Sequence, residues 1–393
     1  MECGNPLQSS STIGMNPNLK PEKTSSIEAG FEAAFWDNRL YLDFTYYKTD
    51  SRNQILKLAT TAASGYTSQV RNAGHIRNRG YEIQLGAVPI QTSKGFRWNL
   101  DLNYGANSSK VVKLDDEGLI TSYQLYSSGI QILASVSEAY GTLFGTSYVR
   151  DANGNVVVDA NGLPKISTTN KTLGKFTPDW TGGISNTFSY RSLSLSFLID
   201  ASVGGSIFSN TNKTGKYTGV LANTLSGRDA EHGGLWYYTD AMGNNVRLPE
   251  SPSYSVSSDG LYYAQVNGQS TRVYQDGIMV EGVTESGSKN EEVVSAEKYY
   301  HRIYSIAEAN VYDASYVKLR EVALSYRLPR LWTQKLHLQE ASVTLTGRNL
   351  WTIYKSVPNI DPESALTTGN AQGVEAYSLP TTRSFGVNLS VKF

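Results

Sequence analysis

The segment SFGVNLSVKF, residues 384–393, alternates strictly between apolar and polar side chains. Its apolar members are Phe385, Val387, Leu389, Val391 and Phe393. Because successive side chains of a strand point to opposite faces, this pattern predicts a β-strand with one apolar face. Chain ends usually fray, whereas here the alternation reaches a terminal aromatic residue. We therefore ask which fold needs a regular strand at this position.

Eight further segments show the same alternation and come in pairs. They are 26–35 with 39–48, 80–88 with 95–105, 179–190 with 192–202, and 315–328 with 336–350. The connection within each pair is short, as in β-hairpins. In the fourth pair the apolar parity shifts from Leu319 to Val322 and from Leu338 to Val343, which predicts a bulge or an error in the strand boundary. Together with the last segment, the sequence predicts nine strands.

The connections between these segments alternate in length. Short ones follow residues 35, 88, 190 and 328, and long polar ones occupy 50–76, 106–178, 203–313 and 351–382. If neighbouring strands are antiparallel, all long connections leave one edge of the sheet and all short ones leave the other. Strands of roughly 9 to 11 tilted residues also cross a bilayer. The pattern predicts an all-β fold, an antiparallel transmembrane β-barrel with short periplasmic turns and long extracellular loops.

The composition excludes several other classes of protein. The 35 basic and 35 acidic residues balance, which argues against binding to nucleic acid or to an anionic membrane surface. The counts of 26 Tyr and 35 Gly favour strands and turns over helices. The one cysteine, Cys3, excludes an internal disulfide. No run of 18 apolar residues exists, so a helical span is excluded, while a strand-built span stays open because only alternate residues face lipid.

Aromatic residues near the ends of the predicted strands form two groups. Trp36, Phe96, Trp98, Tyr190, Trp332 and Phe393 lie near short connections, and Tyr46, Tyr104, Trp180, Tyr316 and Trp351 lie near long ones. Such rings gather at both membrane interfaces of outer-membrane barrels, so we expect two aromatic belts. A soluble β-sandwich would show the same alternation on its inner face. Structureless connections longer than about 15 residues are uncommon in compact domains, which favours the barrel.

Six segments, taken together in their order and spacing, carry a family resemblance. They are NPNLKPEKTSSIEAGFEAAFWDNRLYLDFTYYKTDSRNQIL (16–56), GYTSQVRNAGHIRNRGYEIQL (65–85), DASYVKLREVALSYRLP (313–329), GRNLWTIYK (347–355), PNIDPES (358–364) and FGVNLSVKF (385–393). They resemble the last third of the barrel in TonB-dependent outer-membrane transporters of the SusC/RagA type. The resemblance implies that residues 1–26 end an extracellular loop and that 27–393 form the C-terminal part of the barrel, without signal peptide or plug domain. Because bacterial single-chain barrels have an even strand count, about nine strands would be part of a larger barrel.

The resemblance also implies a function. Such transporters import oligosaccharides or peptides through the outer membrane of Gram-negative Bacteroidota, together with a SusD-like surface lipoprotein and driven by TonB, which contacts the plug. The final strand, with its five apolar residues, is similar to the signal that the barrel-assembly machinery reads, and it would pair to close the barrel. Without the plug, this part alone is expected to be inactive. Two alternatives are a surface binding or adhesion barrel without active transport and a soluble carbohydrate-binding β-sandwich.

The sequence contains no recognisable catalytic set, so we expect neither an enzyme nor a cofactor. The four histidines, His75, His232, His301 and His337, lie far apart and lack metal-binding spacing. The segment DANGNVVVDANG (151–162) offers oxygen ligands, but its glycines do not fit a calcium loop of the EF-hand type. A hairpin with Asn-Gly turns explains the same residues.

The longest connection is rich in aromatic residues that could contact a ligand. They include Trp236, Tyr237, Tyr238, Tyr262 and Tyr263. Flat rings with polar tips suit both sugar faces and peptide backbones, so we predict ligand contact for these five residues. Alternatively, the rings pack the loop onto itself or onto a partner lipoprotein. The sequence does not distinguish a glycan ligand from a peptide.

Overall fold

The computed structural model describes residues 13–59, 62–335 and 337–393, and its main element is a nine-stranded sheet. The strands are β1 (Lys23–Phe35), β2 (Leu40–Arg52), β3 (His75–Gln91), β4 (Phe96–Lys113), β5 (Trp180–Tyr190), β6 (Leu193–Val203), β7 (Tyr316–Arg327), β8 (Glu340–Lys355) and β9 (Ser384–Lys392). Each strand is antiparallel to the next one in the chain. The nine strands form one sheet with β1 and β9 at its edges, and not the two packed sheets of a sandwich.

One face of the sheet is apolar and exposed. In one cross-strand row Phe31 pairs with Phe44, which in turn pairs with Ile83. The ring of Phe31 lies 5.7 Å from that of Phe44. Side chains of this face meet little else, since Ile27 is 72% exposed and Phe385 is 81% exposed. Exposed apolar faces of this size mark contact with another protein surface or with a membrane.

The opposite face carries polar side chains. Asn103 pairs with Gln84, and Thr187 pairs with Asn99 and Ser196. Because the side-chain period of a strand is two, the register that aligns the apolar rows also aligns these polar rows. The sheet therefore has two faces of different polarity.

Stacked rings mark both ends of the apolar face. Near the long connections Tyr104 stacks on Tyr81 and on Trp180, with ring centroids 5.9 and 5.4 Å apart. Near the short connections Trp98 stacks on a phenylalanine of β5 with centroids 5.6 Å apart. Tyr316 lies near a long connection, as predicted, but it does not belong to this aromatic belt. Its hydroxyl donates a hydrogen bond of 3.0 Å to Glu363, so the residue belongs to the polar face.

The long connections are folded. Their helices are α1 (Asn210–Thr218) and α2 (Ala296–Tyr304), with 3₁₀ turns at Ala62–Ser64, Ala222–Thr224 and Ala307–Asn310, while α3 (Arg330–Lys335) lies in a short connection. Their short strands are Ile13–Gly14, Ile55–Ala59, Ser68–Asn72, Ser122–Ser127, Gln131–Ser135, Tyr140–Gly145, Lys171–Lys175, Ser206–Ser209, Leu235–Thr239, Asn245–Arg247, Tyr254–Val256, Tyr262–Val266, Gln269–Met279, Val293–Ser295, Val311–Asp313 and Val374–Glu375. No helix in the described part of the chain is long and apolar enough to cross a membrane.

The longest connections share an apolar core of their own. Ile132, Leu143, Phe208 and Val374 are buried together, although they come from three different connections. We call residues 114–179, 204–315 and 356–383 the loop layer. Because its strands and helices bury apolar side chains, the loop layer is a folded unit and not a set of independent loops.

Two details of the fourth predicted pair are now explained. The register of β7 shifts next to Leu319 against both neighbours, so the predicted bulge is present. The parity shift from Leu338 to Val343 came from an error in the strand boundary, because β8 begins at Glu340 and Leu338 precedes it. Leu336, where the predicted strand starts, lies outside the described residues. At the other end of the sheet β1 begins at Lys23, so the domain boundary expected at residue 26 falls within this strand.

Candidate functional site

Lys318 of β7 lies at the centre of a buried ion network. Its Nζ is 2.6 Å from Asp361 Oδ1 and 2.5 Å from Glu363 Oε2. Lys318 is 3% exposed and Asp361 is 9% exposed. Charges at such depth are tolerated only when they are paired and hydrogen-bonded. The network therefore fixes one end of the 356–383 connection against the polar face of the sheet.

Arg320 extends the network to the neighbouring strand. Its Nε and Nη2 lie 2.8 and 2.7 Å from Asp200 Oδ2 on β6. On its other side Nη1 donates to Glu363 Oε2 at 2.7 Å. Alternate residues of a strand share a face, so Lys318 and Arg320 of the KLR sequence both reach the 358–364 segment. Both segments carry the family resemblance, but the sequence alone does not predict that they meet.

The two carboxylates of the connection are held in their charged form. Burial alone would raise the pKa of Asp361, but hydrogen bonds from Lys318 and Thr381 lower it to about 2. Burial likewise opposes charge on Glu363, and hydrogen bonds from Arg320 and Lys318 lower its pKa below the usual value. Both groups are therefore ionised at neutral pH, as the network requires.

Two of the predicted ligand-contact residues are core residues of the loop layer. Trp236 is 7% exposed and its ring lies 5.6 Å from that of Tyr262. Tyr237 is 4% exposed, stacks on Tyr274 at 5.1 Å and donates to Asp276 Oδ1 at 2.9 Å. Both side chains therefore pack the loop onto itself, which is the alternative stated above.

The other three predicted residues are more accessible. Tyr238 and Tyr263 are half-buried, whereas Tyr262 is 37% exposed. Tyr262 lines a cavity of about 580 Å³ in the loop layer. Of the five predicted side chains it has the position best suited to contact a bound molecule.

Two cavities of the loop layer adjoin each other. Each has a volume of about 580 Å³, and both are lined by Arg228 and Asp276. The first also has Tyr262 and Arg272 in its wall, and the second has Lys216. We call the two cavities together the Arg228–Asp276 cleft. Volumes of this size fit those of small-molecule binding sites.

The segment 151–162 forms turns and not a calcium loop. Asp151 Oδ1 accepts hydrogen bonds from the backbone N–H groups of Asn153 and Asn155 at 2.9 and 2.8 Å, and Asp159 repeats this arrangement in the next turn. The carboxylates are thus used by the turns. In the described ranges no group of three or more His, Cys, Asp or Glu side chains could hold a metal ion.

The predicted assembly residues lie on β9 as expected from their alternation. Phe385, Val387, Leu389 and Val391 belong to its exposed apolar face, and the exposed Phe393 follows directly. β9 pairs with β8 on one side, and no other strand of the described residues pairs with it. Their role in assembly remains a prediction.

Comparison with known proteins identifies the family. Residues 4–218, more than half of the 393 residues, match the family described as TonB dependent receptor-like, beta-barrel. The chain belongs to this family. Among curated relatives, TonB-dependent receptor P3 of Formosa agariphila is 26% identical over 96% of the chain and 35% of its own length. TonB-dependent receptor SusC of Bacteroides thetaiotaomicron is 24% identical over 96% of the chain and 32% of its own length.

A solved structure agrees with this assignment. The RagAB peptide transporter is similar over 96% of the chain and 36% of its own length, with a TM-score of 0.61 and 19% identity. At this identity the similarity shows the fold alone. The comparisons confirm the resemblance to SusC/RagA-type proteins, and the chain spans about a third of the length of these relatives.

Proposed function

We propose that this TonB-dependent receptor chain is part of an active transporter in the outer membrane of a Gram-negative bacterium of the Bacteroidota type. The exposed apolar face of the nine-stranded sheet carries this proposal. Exposed apolar patches larger than a few hundred Å² mark contact with a protein or a membrane. An apolar outer face, a polar inner face and rings at both rims fit the lipid bilayer.

The nine strands are proposed to be part of a larger barrel. An odd strand count does not suit a bacterial barrel by itself, and unpaired edge groups of β1 and β9 would each cost several kcal/mol in lipid. Further strands would pair with both edges. In this arrangement residues 13–22, which precede β1, belong to an extracellular loop, and a plug domain outside this chain contacts TonB. The chain by itself is then inactive in transport.

The loop layer is proposed to face the cell exterior, and the short turns to face the periplasm. Outer-membrane barrels place their long connections outside. There the loop layer would contact a SusD-like lipoprotein and the cargo, an oligosaccharide or a peptide. One relative supports the peptide class by its name, since its structure is that of the RagAB peptide transporter.

The last strand is proposed to direct assembly. Its side chains at 385, 387, 389, 391 and 393 form a regular apolar row that ends on a phenylalanine. This row resembles the signal that the barrel-assembly machinery reads. It also gives β9 an apolar face that continues the one of β8, where Leu389 pairs with Val343.

Fractionation and uptake measurements test the proposed function. We expect the full-length gene product to be recovered in the outer-membrane fraction. We expect uptake of radiolabelled tetraalanine or maltotetraose to require both this protein and TonB. Recovery in the soluble fraction would contradict the membrane assignment. Surface binding of these probes without any effect of TonB deletion would support the adhesion or binding barrel instead.

A further inference from the structure

One strand of the loop layer has a gap in its pairing. Tyr262–Val266 pairs with the strand Gln269–Met279 as far as residue 273, and Val293–Ser295 pairs with it from residue 277 onward. Both of these partner strands lie on one side of Gln269–Met279, and the strand Leu235–Thr239 pairs with it on the other side. Residues 274–276, which we call the edge gap, therefore have no strand partner on that side in the part of the chain that the structure describes.

The edge gap borders the Arg228–Asp276 cleft. Residues 274, 275 and 276 all line the first cavity, and Asp276 also lines the second. Backbone N–H and C=O groups of a strand point alternately to its two sides, so an added strand can pair with one or two residues of the edge gap. Extended peptides use such edges by adding a strand, whereas a sugar offers no complementary ladder of amides. The backbone of the cleft therefore favours a peptide.

The side chains of the cleft carry both signs of charge. Arg272 is exposed and contacts the ring of Tyr274 at 4.8 Å, without an ion pair among the described residues. Arg228 donates through Nη2 to backbone and hydroxyl oxygens of its own segment. Carboxylates are supplied by Asp229, by Glu231 and by Asp276. A zwitterionic ligand matches this wall better than a neutral or a uniformly anionic oligosaccharide.

We propose that the Arg228–Asp276 cleft binds a short peptide in extended form. Its backbone pairs with the edge gap, its carboxylate meets the exposed guanidinium of Arg272, and its ammonium meets the carboxylates of the cleft. Tyr262 covers one side of the bound chain. This inference rests on the proposed function, because it assigns the cargo class of the same loop layer.

This proposal is tested by measuring how tetraalanine binds to the purified full-length gene product. Calorimetry compares tetraalanine with the same peptide N-methylated at the amide nitrogens of its two central residues and with the N-acetylated, C-amidated form. The variant Arg272→Gln removes the exposed cation, and Arg247→Gln, in the wall of a different cavity, is the matched control. Circular dichroism verifies that both variants fold like the parent.

We expect tetraalanine to bind and both modified peptides to bind at least about tenfold more weakly, since N-methylation removes backbone donors and capping removes the two terminal charges. Arg272→Gln is expected to weaken tetraalanine by a similar factor, and Arg247→Gln is expected to leave it unchanged. Equal binding of the N-methylated peptide would overturn the proposal. Binding of tetragalacturonate in place of tetraalanine, weakened by Arg272→Gln, would also overturn it and identify a site for anionic glycans.

The test separates this inference from the proposed function. Binding by the purified protein needs neither TonB nor a proton gradient, whereas uptake needs both. If tetraalanine binds as expected while uptake does not depend on TonB, active transport is contradicted and the peptide site remains. If uptake depends on TonB while tetraalanine does not bind, the transporter remains and the peptide site is contradicted.

Discussion

Lys318 on β7 and Asp361 in the 356–383 connection form an ion pair of 2.6 Å between Nζ and Oδ1, at a depth where the lysine is 3% exposed and the aspartate is 9% exposed. The pair joins the polar face of the sheet to the loop layer. A buried pair does not by itself add net stability, but loss of one partner leaves a buried charge. A single substitution at this pair is therefore expected to weaken the attachment of the loop layer to the polar face of the sheet.

Replacing Lys318 by methionine is expected to destabilise the protein strongly. Lys318→Met leaves two carboxylates without their central cation, at a cost of about 3–5 kcal/mol. Arg327→Met is the control on the same strand, because Arg327 forms an exposed pair with Glu340 and should contribute about 0–1 kcal/mol. Urea titrations of both variants in detergent give the free energies of unfolding. Equal, small losses in both would contradict a central role of Lys318.

Acid is expected to release the 356–383 connection. The pKa of Asp361 is about 2 in the folded protein against 3.8 for the free side chain, so its stabilisation is present above about pH 4 and is lost as the pH falls toward 2. The loss amounts to about 2 kcal/mol, since one pKa unit corresponds to about 1.4 kcal/mol. Pepsin cleavage within residues 356–383, normalised to a reference peptide, should increase between pH 4 and pH 2.

A variant that cannot titrate is the control for this acid effect. Asp361→Asn keeps the shape of the side chain but has no carboxyl group, so the share of the pH dependence that comes from residue 361 should disappear. In this variant cleavage should already be fast at pH 4. Parent protein that is cut equally at pH 4 and pH 2 would contradict the assignment of the acid effect to Asp361.

Buried and partly exposed aromatic residues of the loop layer should respond differently to substitution. Trp236→Ala removes a buried ring and is expected to cost about 3–5 kcal/mol, which hydrogen exchange within residues 235–279 would reveal. Tyr262→Ala removes a partly exposed ring and should change exchange little while it weakens ligand binding. Similar exchange rates in both variants would mean that the burial of Trp236 does not support the loop layer.

Assembly is expected to depend on the last residue. Phe393→Ala should lower the amount of protein in the outer membrane several-fold, because the apolar row of β9 loses its terminal ring. Leu379→Ala is a matched control, since Leu379 is also exposed but lies in a connection outside the strands. Immunoblots of outer-membrane fractions give the amounts. Equal levels of both variants would contradict the assembly role.

The sheet could be predicted from the sequence because its physical cause is local. Side chains alternate along each strand, and the short connections leave little choice of neighbour. Phe31 and Leu389 therefore lie on the apolar face where the alternation puts them. Strand ends were less certain: β8 starts later than predicted because the backbone N–H groups of His337 and Leu338 donate to carbonyls of the helix 330–335, which apolar alternation alone does not reveal.

The candidate sites could be predicted only in part because they depend on distant contacts. Sequence composition marked Trp236 and Tyr237 as possible ligand residues, but packing against other rings of the loop layer buries them. The pairing of Lys318 with Asp361 joins residues 43 positions apart, and only folding of the connection brings them together. Likewise, the edge gap at residues 274–276 is a property of three strands and has no signature in any one of them.

The central claim is that one face of the nine-stranded sheet meets lipid, and site-directed spin labelling tests it most directly. Leu102 and Asn103 are neighbours on β4 whose side chains lie on the apolar and polar faces. In a Cys3→Ser background, labels on Leu102→Cys and Asn103→Cys are compared in bilayers for collision with oxygen and with a water-soluble nickel complex. We predict that the label at residue 102 collides more often with oxygen and the label at residue 103 more often with the nickel complex. Equal access of the nickel complex to both labels would contradict a lipid-facing sheet.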